Sequence, residues 1–321
     1  GNYVCEKSNR GPETFGRVKQ LETGARLIAG FKIIDLIRLI RYRFFLFAGM
    51  LPYFLGQVVA FDLYGFFNWG CFGLGFAGIF FVLVAVELFN EYFDDRQGGD
   101  RIFSPEKSPV PEFFWLLGIL MVAAAFVIGV FLALQKGWPV ILFAFLGFIG
   151  AYFYVGPPLR WAYRGFGEMV IGLCYGPLMV LGSFYLQTAL IDFTPFFVSV
   201  ICGLSVFCLA ILNEIPDYYQ DVLIGKRNLV VRLGKQKAIL LLKFCLAVLF
   251  ALIAFGIVTK RIPLFTAVAG IAIPWLLRSI RIIDENYDNP KGFRFAVNTF
   301  VFSHILLFLS LGIGFLKNGI K

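Results

Sequence analysis

Nine stretches of about 20 predominantly apolar residues govern what this chain can fold into. They lie near 44–63, 69–90, 113–134, 138–155, 166–188, 194–213, 239–258, 263–280 and 295–316, the fourth and eighth being the shortest. A run of that length crosses the hydrocarbon core as a helix. Lipid offers backbone amides no partner, so only helices or closed barrels span it. With 59% hydrophobic and 15% charged residues, the chain is too greasy for a soluble domain. The expected fold is all-α: a polytopic membrane protein of nine transmembrane helices over 44–316. Residues 1–43 form a polar segment with an interfacial helix, and 317–321 a C-terminal tail. From Leu27 to Ile40 apolar positions mix with Lys32, Asp35 and Arg38, which suits a helix lying among headgroups. Residues 1–25 carry no apolar core of a cleavable signal.

The net charge of +9 does not mark a nucleic-acid binder, because of where it sits. Of the 29 Lys and Arg, all but Lys136, Lys260, Arg261, Lys317 and Lys321 precede the first span or fall near the links after spans two, four, six and eight. Positive charge collects on the cytoplasmic side, so the N-terminus and those links are expected inside and the C-terminus outside. The six cysteines show no CxxC and no zinc-type spacing, and five lie in apolar runs as small hydrophobes. Nothing in the sequence calls for an obligate protein partner.

Against this background two acidic clusters stand out. One is Asn90-Glu-Tyr-Phe-Asp94-Asp95-Arg-Gln-Gly-Gly-Asp100 and the other Asn213-Glu-Ile-Pro-Asp217-Tyr-Tyr-Gln-Asp221. A carboxylate at membrane depth costs about 2.5–3.5 kcal/mol, so matched clusters at the ends of two spans need a compensating partner. Oxygen-rich sites suit a hard divalent cation such as Mg²⁺. Asn90 and Asp94 are i, i+4 and share a helical face; so do Asp217 and Asp221, with Asn213 one turn earlier. The bland alternative leaves these carboxylates solvated beyond the helix ends, which explains one cluster better than a matched pair. Four spans separate the two motifs. That parity makes a parallel repeat, with spans 1–4 and 5–8 as two pseudo-equivalent four-helix halves around a central cavity. Small-residue pairs at Gly73/Ala77 and Gly172/Gly176 would let helices approach closely. Pro216 should kink or end span six.

Cations follow each motif. The link from Tyr152 to Glu168 carries Arg160 and Arg164, and Gly225-Lys226-Arg227 follows the second cluster. A metal-bound diphosphate keeps free oxygens that Arg takes bidentately and Lys as a point charge. The same cations also serve membrane topology. Aromatic residues make up 18% of the chain, with 40 Phe, enough to line a tunnel for an isoprenoid and shield an allylic cation. Glu87 and Glu168 are candidates for a polar cavity wall, and His304 for a hydrogen-bonded packing role. A cation transporter would also use intramembrane carboxylates, but nearer the midplane than these.

At these residues the chain resembles the UbiA superfamily of intramembrane prenyltransferases, over roughly 40–316. Four segments carry the likeness: Asn90-x-x-x-Asp94-x-x-x-Gly98-x-Asp100, Gly165-Phe-Gly-Glu168, Gly176 to Thr188, and Asn213 through Gly225-Lys-Arg-Asn to Gly234. They are most like the branch that prenylates 1,4-dihydroxy-2-naphthoate in menaquinone synthesis. The resemblance implies nine helices and Mg²⁺, taken as two ions, held by Asp94, Asp100, Asp217 and Asp221. Asp94 and Asp217 then carry catalysis. It implies a polyprenyl diphosphate held by Asn90, Arg96, Arg160, Arg164, Asn213 and Lys226. Tyr154, Glu87 and Glu168 are left for the acceptor or the allylic cation. The alternative is the same fold with another acceptor: hydroxybenzoate, homogentisate or a glycerol-phosphate lipid.

Overall fold

A computed structural model of the protein describes residues 49–97, 109–286 and 290–318. The polar segment over 1–43, its interfacial helix and Asp100 lie outside the described residues. Eleven helical elements follow one another: α1 (Leu51–Tyr64), α2 (Trp69–Gln97), α3 (Phe113–Lys136), α4 (Pro139–Phe153), α5 (Gly167–Thr188), α6 (Phe193–Glu214), α7 (Tyr218–Leu223), α8 (Leu229–Leu233), α9 (Lys235–Val258), α10 (Leu264–Glu285) and α11 (Pro290–Asn318). No strand occurs among the described residues. Seven of the helices, α2, α3, α5, α6, α9, α10 and α11, are long and apolar enough to cross a membrane. The first expected run begins outside the described residues and α1 holds 14 residues of it, while the fourth appears as the 15-residue α4.

Burial ranks the helices. In α6, 78% of the apolar window is buried, against 17% in α3. Helix α6 is therefore the hub, with Ile201, Ile211 and Leu212 wholly enclosed, while α3 turns most of its surface outward. Contact between α5 and α6 depends on glycine. A Cβ on Gly176 would lie 2.4 Å from Cα of Gly203, and one on Gly203 would lie 2.7 Å from the carbonyl oxygen of Gly172. The expected close approach at Gly172/Gly176 is thus realised. The one at Gly73 is not, since a Cβ there meets nothing within 4 Å. In α2 that part falls to Gly75, where a Cβ would come within 2.6 Å of Leu186 and of the Tyr53 hydroxyl.

Three prolines shape the elements that carry the site. Pro216 ends α6 at Glu214, as expected, and the chain restarts as α7. Pro177 sits inside a wide π turn, Cys174–Leu178, that interrupts α5. Proline cannot donate to the residue four back and its ring crowds that carbonyl, which the wider turn relieves. Helix α10 begins as a 3₁₀ segment, Leu264–Ala272. Pro274 has no N–H for the carbonyl of Gly270, which accepts from Ile273 instead.

One end of the bundle gathers the last turn of α2, the starts of α3 and α5 and the close of α6. The opposite end is tied by a buried amide knot. Gln187 donates to Oε1 of Gln57 (2.5 Å) and to the carbonyl of Asn68 (3.1 Å), and its Oε1 accepts from the Asn68 amide (2.7 Å). Gln57 donates to the carbonyl of Ser183 (2.9 Å), and Lys136 to that of Gln187 (3.0 Å). His304 packs as expected: buried, hydrogen-bonded to Ser205 (2.9 Å) and against Phe308.

Candidate functional site

The last three turns of α2 sort their polar residues by face. Glu87, Asn90 and Asp94 follow a 3–4 spacing and are half-buried, with Glu87 within electrostatic reach of Tyr175 in the π turn. Tyr92, Asp95 and Arg96 turn instead to the segment entering α3. Asp95 is 2% exposed and accepts from the Val110 amide (3.0 Å), so it fastens the link and is neither a ligand candidate nor a solvated bystander. Tyr92 donates to Glu112 (2.6 Å); Arg96 lies over the Tyr92 ring and pairs with the same Glu112 (2.5 Å). The family resemblance implied Arg96 beside the diphosphate. Its contacts here serve Glu112, because residue 96 lies two positions, about 200°, round the helix from Asp94.

The link between α4 and α5 closes over Asp94. It holds a short 3₁₀ turn, Trp161–Tyr163, fixed by the Ala162 amide donating to the Tyr154 carbonyl (2.9 Å). From that turn the Tyr163 hydroxyl donates to Oδ1 of Asp94 (2.9 Å). Burial, with the Asp94 charge next, pushes the Tyr163 phenol above its ordinary pKa, so it remains a donor. Tyr154 is half-buried beside the turn, while Arg160 and Arg164 are exposed at the rim, Arg164 donating to the carbonyl of Pro158 (3.0 Å). Gly165 must be glycine: its φ is +80°, and a Cβ would sit 2.4 Å from the Arg232 side chain.

The second motif folds into a compact charged knot. Lys226 lies 2.9 Å from Glu214 and 3.2 Å from Asp221. Asn228 donates to Glu214 (2.5 Å) and Asp221 (2.6 Å), and its Oδ1 caps α8 at Val231 (2.8 Å). Burial pushes the Asp221 carboxyl up to about 7, Lys226 drawing it back and Glu214 adding to the rise. Burial opposes the Lys226 charge, but Glu214 and Asp221 outweigh it and hold that pKa above the usual lysine value. Glu168, expected in a pocket wall, is 2% exposed and instead accepts from the Leu229 amide (3.0 Å), securing α8. Asn213 and Asp217 are exposed.

The two motifs meet. Tyr163 touches Asp94 and is within electrostatic reach of both Asp221 and Lys226, and Lys226 in turn feels Asp94. The Arg227 amide donates to the Tyr163 carbonyl (3.2 Å), joining the two links directly. Glu214, Asn228 and Tyr163 were not singled out from sequence. Asn228, an Asn just before an apolar run, carried a legible helix-cap signal; the other two had none.

The donor set suits a hard cation. Asn90 Oδ1 is buried without a hydrogen-bond partner, an acceptor that a cation would satisfy. Among the described residues no three His, Cys, Asp or Glu side chains form a ligand cluster by themselves. Mg²⁺ is ordinarily held by one or two carboxylates plus substrate phosphates, so a complete protein cage is not required.

Known proteins carry the same architecture. A digeranylgeranylglyceryl phosphate synthase superposes with a TM-score of 0.63 at 16% identity, covering 88% of this chain and 98% of that one. A UbiA homologue from Archaeoglobus fulgidus bound to GPP and Mg²⁺ gives 0.58 at 18% identity, covering 88% and 99%. In sequence, a 1,4-dihydroxy-2-naphthoate octaprenyltransferase of Bacillus subtilis is 28% identical over 66% of this chain and 67% of its own. A 2-carboxy-1,4-naphthoquinone phytyltransferase of Synechocystis is 24% identical over 82% and 88%. The UbiA prenyltransferase family profile matches residues 49–316, and the chain belongs to that family.

Proposed function

We propose that this prenyltransferase moves a polyprenyl group from a polyprenyl diphosphate to an aromatic acceptor of the 1,4-dihydroxy-2-naphthoate class. The observation that carries the reading is the convergence of Asp94, Asp221 and Lys226 around Tyr163. Relatives from two bacterial groups named for naphthoate or naphthoquinone acceptors support the acceptor class. In the proposed arrangement eight of nine helices form two repeated four-helix halves, with the ninth added. The site links face the cytoplasm, where positive charge collects, and the C-terminus lies outside.

The prenyl tail lies between helices and its head enters at the site end. Asp94, Asp217 and Asp221, with Asn90 Oδ1 and, outside the described residues, Asp100, would hold two Mg²⁺ ions together with the diphosphate oxygens. When bound, Mg²⁺ supplies charge neutralisation for the departing diphosphate. Lys226, Asn213 and the rim arginines Arg160 and Arg164 would add donors for the same oxygens. Arg96 reaches the diphosphate only by leaving Glu112. The aromatic and apolar walls would exclude water from the allylic cation, with Tyr154 offering a π surface. The C–O bond to diphosphate breaks, the ring carbon of the acceptor forms the new C–C bond, and with a dihydroxynaphthoate the carboxylate leaves as CO₂.

The test is transfer by purified protein across a panel of naphthoate, benzoate, homogentisate and glycerol-phosphate acceptors, read by mass spectrometry. Mg²⁺-dependent product with the naphthoate above all others is expected. Transfer to another acceptor class alone would overturn the acceptor assignment. Cation uptake into proteoliposomes without any transfer would overturn the reaction.

A further inference from the structure

The residue that joins the halves of the site belongs to neither acidic motif. Tyr163 grips the first motif with its side chain, through the 2.9 Å hydrogen bond to Asp94 Oδ1. It grips the link of the second with its backbone, its carbonyl accepting from the Arg227 amide at 3.2 Å, one residue from Lys226. The turn that carries it is stiff. Ala162 is 3% exposed, its amide is held by the Tyr154 carbonyl, and the Tyr163 amide is held by the Arg160 carbonyl (2.9 Å). The Tyr163 ring packs against the cluster of Ala85, Phe89, Val155 and Ala162, which leaves it little rotational freedom. Behind the turn, Gly167 approaches so closely that a Cβ would lie 2.8 Å from Cα of Ala162.

We infer that Tyr163 is a positioning residue: it fixes the orientation of the Asp94 carboxylate and couples that carboxylate to the Lys226 link. This rests on the reading of Asp94 as a Mg²⁺ ligand. A carboxylate with one oxygen pinned by a phenol presents the other in a set direction, whereas an unpinned one turns about its Cβ–Cγ bond. Outer partners of this kind are worth 10–100-fold in metal affinity where their removal has been measured in other proteins. The hydroxyl is committed to the carboxylate, so substrate affinity should depend on it less than metal affinity does.

The experiment is a Mg²⁺ titration of the full chain by calorimetry, with an unreactive prenyl thiodiphosphate present. It compares wild type, Tyr163→Phe and Trp161→Phe, the last disturbing the same turn without touching Asp94. Tyr163→Phe should weaken Mg²⁺ binding by about 10–100-fold while Trp161→Phe leaves it unchanged. In metal-free protein, amide exchange at Arg227 should quicken in Tyr163→Phe, since the turn loses its hydrogen bond to α2. Wild-type protein that binds Mg²⁺ while Tyr163→Phe binds it equally well would overturn this inference and leave the function standing. Wild-type protein that binds no Mg²⁺ would overturn both. The change removes one oxygen from a ring that stays packed. Loss of the fold would therefore make Tyr163 a packing residue and overturn the assignment too.

Discussion

Gln187 and Lys226 organise polar groups at opposite ends of one apolar bundle, and they do so in opposite ways. Around Gln187 the side-chain amide is fully engaged: Oε1 accepts from Asn68, and Nε2 donates to Gln57 and to the Asn68 carbonyl. Around Lys226 the network leaves capacity over. Asn90 Oδ1 and Glu168 Oε2 are buried without hydrogen-bond partners, and Asn213 and Asp217 are exposed. A buried network that satisfies itself rigidifies a fold, while one that does not awaits something. The difference separates a polar cluster that holds helices together from one that handles a ligand, although composition makes them look alike.

Mutations can break or sharpen that contrast. The largest effect is expected for Asp217→Asn. Turnover should fall by about 10³-fold, and the melting temperature should not move because the side chain is exposed. A parallel loss of stability, seen in a detergent melt, would class Asp217 with the structural end. Next comes Lys226→Met, which strands Glu214 beside Asp221. Metal-free protein should lose roughly 3 kcal/mol, part of it recovered on adding Mg²⁺. A melt insensitive to Mg²⁺ would count against the cation site. Gln187→Leu should cost about 2 kcal/mol by orphaning Gln57 and Asn68, with turnover per folded molecule preserved. Active-site titration alongside the melt checks this, and lost turnover in stable protein would erase the contrast. The smallest change belongs to Asp95→Asn, about 1 kcal/mol, as a charged acceptor for the Val110 amide becomes a neutral one. A Mg²⁺ response altered in that variant would make Asp95 a ligand instead of a structural acceptor.

Much of this was legible before any coordinates. Apolar runs located every described long helix, because lipid forces length and composition together. Within the two acidic motifs, i, i+4 spacing binds a stripe to one face, and Asp94 and Asp221 come together around Tyr163 while Asn213 and Asp217 stay exposed. What escaped notice depends on contacts distant in the chain. No local pattern pairs Tyr163 with Asp94, 69 positions away, and Glu214 hid inside a motif whose aspartates drew the eye. Helical phase could have separated Asp95 and Arg96 from Asp94, since neighbours differ by about 100°. Gly73 misled because small residues permit close approach without compelling it, and here open space faces it.

The wide turn at Cys174–Leu178 sets the phase between the two segments of α5. A π turn amounts to one residue inserted into an α-helix. Deleting a single residue there would let the ladder close up and rotate the Gly167–Leu173 segment by about 100° relative to Met179–Thr188. Glu168 would then swing off the Leu229 amide, and the charged knot would lose its mooring to α5. One surplus residue, spent halfway along a membrane helix, acts as the indexing notch that keeps the reactive rim aligned with its scaffold.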